Sequence, residues 1–275
     1  MQLEVITRLP PLAARRTPLL FVHGAWHAAW CWETHFLDFF AAHGYAAHAL
    51  SLRGHGVSEG RDQLRWTRIS NYVADVAQVA AGMPGAPIVI GHSMGGLVVQ
   101  KYLETHRAPA GALLASVPPS GALAATLRIA ARQPLAFVKA NLTLSLWPLV
   151  ATPALAREAF FSSSMPDAQL QELAPRLQNE SYRAFLDLLA LDLPHPDRVQ
   201  TPLLVLGAAD DAIFSPAEVA ATARAYRTEP VMFTGMAHDM MLEAGWEKVA
   251  ECVLAWIEAR PGAETDVAVS QARNP

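Results

Sequence analysis

A doubly wound, mostly parallel α/β sheet with an inserted helical lid is the fold that this sequence predicts. Two patterns predict it. Short apolar runs without alternation, as in strands covered on both faces, take turns with segments whose apolar residues recur at three and four. The exchange then stops between Pro118 and Arg198, where helical spacing continues without a good strand. In an open sheet of this kind ligands bind beyond the carboxyl ends of the strands. Residues that do chemistry are therefore sought in the loops that follow the apolar runs.

The strand candidates come in order. Leu3–Arg8 is a possible edge strand, and Leu19–Val22 leads into His23-Gly24. Ala46–Leu50 precedes the loop Arg53-Gly54-His55-Gly56, and Ile88–Ile90 precedes a turn at Ser93. Ala112–Val117, Leu203–Leu206 and Val231–Phe233 complete the set. Between them, Ile69, Tyr72, Val73, Val76, Val79 and Ala80 mark one helix, and Trp246, Val249, Ala250, Val253, Leu254 and Ile257 another. Prolines at 134, 148, 153, 166, 175, 194 and 196 cut the Pro118–Arg198 stretch into several short helices. Because it lies between two strands of the main sheet, it is expected to sit over the strand ends as a lid. This divides the chain into a core of residues 1–118 and 199–260, a lid of residues 119–198, and a small polar tail, 261–275, expected to be disordered.

Composition narrows the class of protein. At 275 residues, 52% hydrophobic and 17% charged, the chain suits one large globular domain with an insertion. A net charge of −4 and the lack of any Lys/Arg block argue against nucleic acid as a partner. No apolar run reaches membrane-spanning length, and the first ten residues lack the basic-then-apolar pattern of a signal peptide. The two cysteines, Cys31 and Cys252, are too few for a disulfide framework and read as free thiols in a cytoplasmic protein. Cys31 as a nucleophile is the weaker reading, because a lone cysteine more often behaves as a small buried hydrophobe.

The turn after Ile88–Ile90 reads Gly91-His92-Ser93-Met94-Gly95. A serine flanked by glycines between a strand and a helix sits on a turn so tight that a Cβ on either side does not fit, which holds its hydroxyl out toward a ligand. A serine hydroxyl becomes a nucleophile when a histidine takes its proton and a carboxylate orients that histidine. On this architecture the chain order is Ser, acid, His. The sequence keeps it: Asp210-Asp211 follows the Leu203–Leu206 strand, and His238 follows Val231–Phe233. Either aspartate can serve.

Five motifs in order, FVHGAW at 21–26, RGHGVS at 53–58, GHSMGG at 91–96, VLGAADDAIF at 205–214 and GMAHDMM at 235–241, resemble the α/β-hydrolase superfamily, and more narrowly its lid-bearing serine esterases and lipase-like members. The resemblance covers roughly residues 1–260. It implies Ser93 as nucleophile, His238 as general base and then general acid, and oxyanion-hole amides at Met94 and Ala25. It implies Asp211 over Asp210 as the acid, because members usually place it just before a short apolar stretch and a proline, as in Ala212-Ile213-Phe214-Ser215-Pro216. It implies hydrolysis of a carboxylic ester or thioester of a small to medium apolar substrate. Cyanohydrin or carbon–carbon bond cleavage and perhydrolysis on the same fold are the alternatives, with a non-catalytic ligand-binding protein the remotest. Many relatives carry an Asp two residues before the Arg of RGHGVS, where this chain has Ser51. Trp26, His27, Trp147, Phe161 and Met240 are candidates to line the substrate pocket. His23 reads as a residue that ties down its own loop, and His92 as packing behind the Ser93 turn. No residue cluster has zinc-ligand spacing and no glycine loop matches a nucleotide fingerprint, so neither metal nor cofactor is expected. The expected partner is a small-molecule acyl substrate, and the sequence leaves the oligomeric state open.

Overall fold

The computed structural model describes residues 1–11 and 17–260. The expected disorder of 261–275 lies outside these. Seven strands form one sheet: β1 (Val5–Arg8), β2 (Leu19–Val22), β3 (Ala47–Leu50), β4 (Ile88–His92), β5 (Gly111–Leu114), β6 (Leu203–Ala208) and β7 (Pro230–Phe233). Their spatial order is β1-β3-β2-β4-β5-β6-β7. Only β1 runs antiparallel to its neighbour; every other pair is parallel. The central strands β2, β4, β5 and β6 are buried at every residue, whereas β1 and β7 are only partly covered. That gradient explains why the inner runs are almost wholly apolar or glycine and the outer ones mix in Thr, Arg and Pro.

Helices α1 (Trp30–Glu33), α2 (Phe36–Ala42), α3 (Ile69–Ala81) and α4 (Met94–Tyr102) belong to the first half of the sheet. Between β5 and β6 the chain forms only helices and turns: α5 (Leu123–Arg132), α6 (Pro134–Thr143), α7 (Pro153–Phe160), α8 (Asp167–Leu173), α9 (Tyr182–Leu186) and short single turns. Proline occupies the first helical turn of α6 and α7, where its missing N–H costs nothing. Helices α10 (Pro216–Ala225) and α11 (Trp246–Glu258) return to the sheet. Ser215 and Glu218 cap the start of α10 reciprocally.

The start of α4 packs directly on the strands. A Cβ added at Gly95 would strike the carbonyl oxygens of Val22 and His23, and one at Gly91 would strike the backbone of Gly95 and Gly96. Neither obstacle is a flexible side chain, so neither can yield. Gly95→Ala is therefore expected to destabilise the protein by about 3 kcal/mol or more, at the upper end of overpacking costs. Urea unfolding checks this: an unchanged midpoint contradicts it.

Candidate active site

Ser93 directly follows β4 with φ 52° and ψ −120°, a conformation that a side-chain-bearing residue adopts only under constraint. The constraint is hydrogen bonding. Its N–H donates to the Leu114 carbonyl at 3.0 Å, and its own carbonyl accepts from Gly96 at 3.0 Å and Val117 at 3.1 Å. Across from it, Gly24 follows β2. A Cβ there would lie 2.9 Å from both His92 Nδ1 and Ser93 Cβ. The loop after β2 thus closes on the Ser93 turn because position 24 lacks a side chain.

His238 and the two aspartates arrive from the loops after β7 and β6, on the same sheet edge. Asp211 is the one that meets the histidine: His238 Nδ1 donates to Asp211 Oδ2 at 2.8 Å, with both side chains sealed from solvent. The other carboxylate oxygen of Asp211 accepts from the amides of Ile213 at 2.7 Å and Phe214 at 3.1 Å. Asp210 is exposed and contributes its amide to the Met236 carbonyl. Burial alone pulls the His238 imidazole down. The charge and hydrogen bond of Asp211, joined by the charge of Asp239, more than offset this and hold it above the ordinary histidine value.

The amides of Ala25 and Met94, among the described residues, have no protein acceptor. Met94 opens α4, so its N–H is one of the orphan donors of a helix start. Trp26 takes a positive φ of 64°. Its carbonyl accepts from the Gln178 amide at 2.9 Å and its indole N–H donates to the Leu146 carbonyl at 3.3 Å, so the helical insertion holds this loop from above.

A cavity of about 70 Å³ opens on this arrangement, with Ala25, Trp26, Ser93 and Met94 in its wall. His238 packs on Phe214, another wall residue, with ring centroids 5.7 Å apart. The far wall comes from the insertion, through Thr126, Ile129, Leu146, Phe185 and Leu188. Of the five pocket candidates read from the sequence, the structure brings only Trp26 to this cavity. Met240 is fully buried core, Phe161 packs on Phe160, and Trp147 is half-buried against the core. His27 lies behind the wall, for the reason given below.

A family model for the alpha/beta hydrolase family matches residues 19–252. The chain belongs to the alpha/beta hydrolase family. It is 38% identical over 111 residues to a non-heme chloroperoxidase of Streptomyces lividans, covering 37% of each chain. It is 30% identical over 90 residues to a pyrethroid hydrolase of Sphingobium wenxiniae, covering 33% of this chain and 31% of that one. These matches span about a third of the curated relatives' length. The monoacylglycerol lipase of Paleococcus ferrophilus has a similar solved structure: TM-score 0.71, 20% identity, 93% of this chain and 98% of that one. At that identity the likeness is one of fold.

This alpha/beta hydrolase also holds two buried histidine–carboxylate pairs that spacing alone does not reveal. His27 Nε2 donates to Asp239 Oδ2 at 2.9 Å and His27 Nδ1 to the Ala25 carbonyl at 2.8 Å. His55 Nε2 donates to Glu180 Oε2 at 3.0 Å and His55 Nδ1 to the Arg53 carbonyl at 3.1 Å. Glu180 also accepts from the Tyr72 hydroxyl and the Ser181 amide, both at 2.6 Å. Burial would raise the Glu180 carboxyl; the His55 charge and these donors outweigh it and hold it below the usual range. Gln178 bonds the amide of Gly56 and the carbonyl of Gly54. Residues 178–180 therefore fasten the insertion to the loop after β3. That loop is held from below as well. Ser51 donates to Glu4 and accepts from the Ala29 amide, so the carboxylate absent at position 51 is supplied by the strand-β1 side of the sheet.

The remaining histidines are structural in their bonding. His23 Nδ1 donates to the Gly24 carbonyl and Nε2 accepts from the Leu52 amide. His92 donates from Nε2 to the His238 carbonyl at 2.9 Å, and burial first, then the nearby His238, push it down to about 3. His92, His238 and Asp239 cluster closely enough to be considered as metal ligands. Each has one of its two ligand atoms engaged, His238 Nδ1 on Asp211, His92 Nε2 on the His238 carbonyl and one Asp239 oxygen on His27, while His92 Nδ1 and the second Asp239 oxygen have no hydrogen-bond partner. Cys31 is buried, and burial together with the Asp239 charge drives its thiol far above the usual value, which leaves it inert as a nucleophile. Among the described residues no helix is long and apolar enough to cross a membrane.

Glu180→Gln removes the buried carboxylate that meets His55, the Tyr72 hydroxyl and the Ser181 amide and is expected to cost about 3 kcal/mol at neutral pH. Because the folded carboxyl is held below its unfolded value, the wild-type contribution is complete above about pH 4.3 and is lost as the pH falls through the lower, folded value. Urea midpoints followed from neutral to acid pH should therefore converge for the two proteins; parallel curves contradict the prediction.

Proposed function

We propose that this alpha/beta hydrolase is a serine esterase for small, neutral, apolar acyl groups, acting through Ser93, His238 and Asp211. One observation carries the reading: a sealed His238–Asp211 hydrogen bond lies beside a cavity whose wall includes Ser93 on its strained turn. A monoacylglycerol lipase among the structural relatives and a pyrethroid hydrolase among the sequence relatives support a hydrolytic role.

The proposed reaction passes through an acyl-enzyme. Ser93 Oγ attacks the ester carbonyl while its proton passes to His238 Nε2, the ring nitrogen not engaged by Asp211. Asp211 fixes the tautomer and stabilises the imidazolium. The developing oxyanion is met by the Ala25 and Met94 amides, each worth roughly 3–4 kcal/mol of barrier. Collapse breaks the bond to the alcohol, which leaves with the proton from His238. Water then repeats the sequence on the acyl-enzyme, releasing the acid and restoring Ser93.

The cavity of about 70 Å³ is under half the roughly 150 Å³ that admits a benzene ring, which supports a short acyl chain. Glu180 is the charged residue in its wall, and its carboxylate disfavours anionic substrates. Trp26, Ile129 and Ile213 line both this cavity and a smaller neighbouring one, so they form the partition between the two. The likeness to a chloroperoxidase favours a second reading, in which hydrogen peroxide instead of water takes the acyl group and yields a peracid.

On p-nitrophenyl esters of rising chain length, activity should peak at two to four carbons, roughly the length such a cavity holds. Ile129→Ala should move the peak to longer chains. Ser93→Ala should lower kcat by about a million-fold; retained turnover overturns the reading. Because His238 is held above the ordinary value and must be unprotonated to act as base, kcat/KM should fall as pH drops through a point above about 6.5. Asp211→Asn should move that limb to lower pH and reduce kcat by about 10⁴. Adding hydrogen peroxide and assaying for peracid separates the two readings.

A further inference from the structure

The catalytic reading uses one carboxylate beside His238, yet the structure places two. Asp239 follows His238 in the chain and is completely buried. One of its oxygens accepts from His27. The other has no hydrogen bond and lies 3.7 Å from His92 Nε2. A buried carboxylate with an unsatisfied oxygen is costly unless the arrangement serves something else. Its partner is equally constrained. His27 is as buried as Asp239, and both its ring nitrogens face oxygen acceptors, the Ala25 carbonyl and the Asp239 carboxylate. A carbonyl can only accept, so Nδ1 carries a hydrogen, and Nε2 is left facing the Asp239 carboxylate at 2.9 Å.

The position of the pair is what gives it meaning. Ala25 is the residue whose amide is read as an oxyanion donor, and it sits in the loop after β2. Asp239 sits in the loop after β7, 212 residues away in sequence. We propose that His27 and Asp239 are positioning residues: a buried hydrogen-bonded clamp that fixes the Ala25 backbone against the loop carrying His238 and sets a second carboxylate beside the His238 ring.

This inference rests on the esterase reading and deepens it. The charged and titratable groups around the clamp support it. Asp239 faces His27, His92 and His238, with Glu243 and the Cys31 thiol also within its field. Burial raises its carboxyl, and the neighbouring His27, foremost, and His238 outweigh this and hold it below the usual carboxylate range. His92 is neutral, so it cannot cancel the charge. His238 faces Asp211, Asp239 and His92, and the Asp239 charge adds to that of Asp211 in holding the imidazole up. The Asp239 amide also donates to the Phe160 carbonyl at 3.0 Å, which joins the end of α7 to the same point.

The test measures kcat and KM against pH on a short p-nitrophenyl ester for wild type, Asp239→Asn, His27→Gln and the double variant, each checked by thermal unfolding. Asp239→Asn keeps the shape and removes the charge, so the acid limb of kcat/KM should move to lower pH. His27→Gln loosens a donor that matters most in the transition state, so kcat should fall roughly tenfold to a hundredfold with KM little changed. The double variant should lose no more than the worse single one, as expected for two halves of one device. A folded Asp239→Asn enzyme with the wild-type limb and kcat overturns the proposal. If either variant does not fold, nitrogen-15 spectra of the wild-type histidines decide. The His27 signals, recognised by their couplings to neighbouring protons, should show Nδ1 carrying a hydrogen, as its bond to the Ala25 carbonyl requires, and a bare Nδ1 overturns the clamp. Failure of the esterase reading looks different: Ser93→Ala would then turn over like wild type, whatever Asp239 does.

Discussion

The close approach of α4 to the ends of β2 and β4 is the constraint on which the rest depends. Gly91 and Gly95 let backbone meet backbone where any side chain would collide with a carbonyl. Once that contact is made, Ser93 has no freedom to relax, and its unusual φ is held by hydrogen bonds to β5 and to the chain beyond it. The same approach admits Gly24 against Ser93 and so fixes how near the loop after β2 lies to the turn. Strain of about 1–3 kcal/mol at one residue is sustained by the packing of a whole sheet.

Around that turn the protein keeps charge in a dry place, and each buried charge is answered from a distant part of the chain. His238 is met by Asp211, His27 by Asp239, His55 by Glu180, and Arg53 by Asp75 on α3. Pairs of this kind contribute little net stability, since desolvation offsets attraction. Breaking one is expensive, and that makes them effective registers: a loop is either in its partnered position or charged and unsatisfied. All four pairs reach a loop at the carboxyl edge of the sheet, where small displacements would misplace the side chains around Ser93.

The helical insertion is tied to the same network. Residues 178–180 bond the loop after β2 through the Trp26 carbonyl and the loop after β3 through Gly54, Gly56 and His55. The apolar faces of α5 and α9 then close the cavity over Ser93. Its small volume and its apolar wall follow from docking that is polar at the rim and hydrophobic within. Movement of the insertion would break several polar contacts together, so access to the cavity and integrity of the site are mechanically linked.

The sequence by itself determined the sheet. Strands buried on both faces must be unbroken apolar runs, so β2 is read to the residue and the others within a few. It also determined the turn at Ser93, because glycines at 91 and 95 have a steric reason that needs no neighbours to be recognised. The tertiary structure decided what depends on direction. Asp210 and Asp211 are chemically equal, and only the path of the loop aims the second at His238. Trp147, Phe161 and Met240 have the right character for a pocket, but helical spacing does not say which neighbour a face meets, and packing claims them. Ser51 lacks a carboxylate that Glu4 supplies across a sheet edge. His27 and Asp239, like His55 and Glu180, are 212 and 125 residues apart. An isolated histidine carries no local signal of its partner, because what selects the pair is the cost of leaving either charge alone in a closed interior.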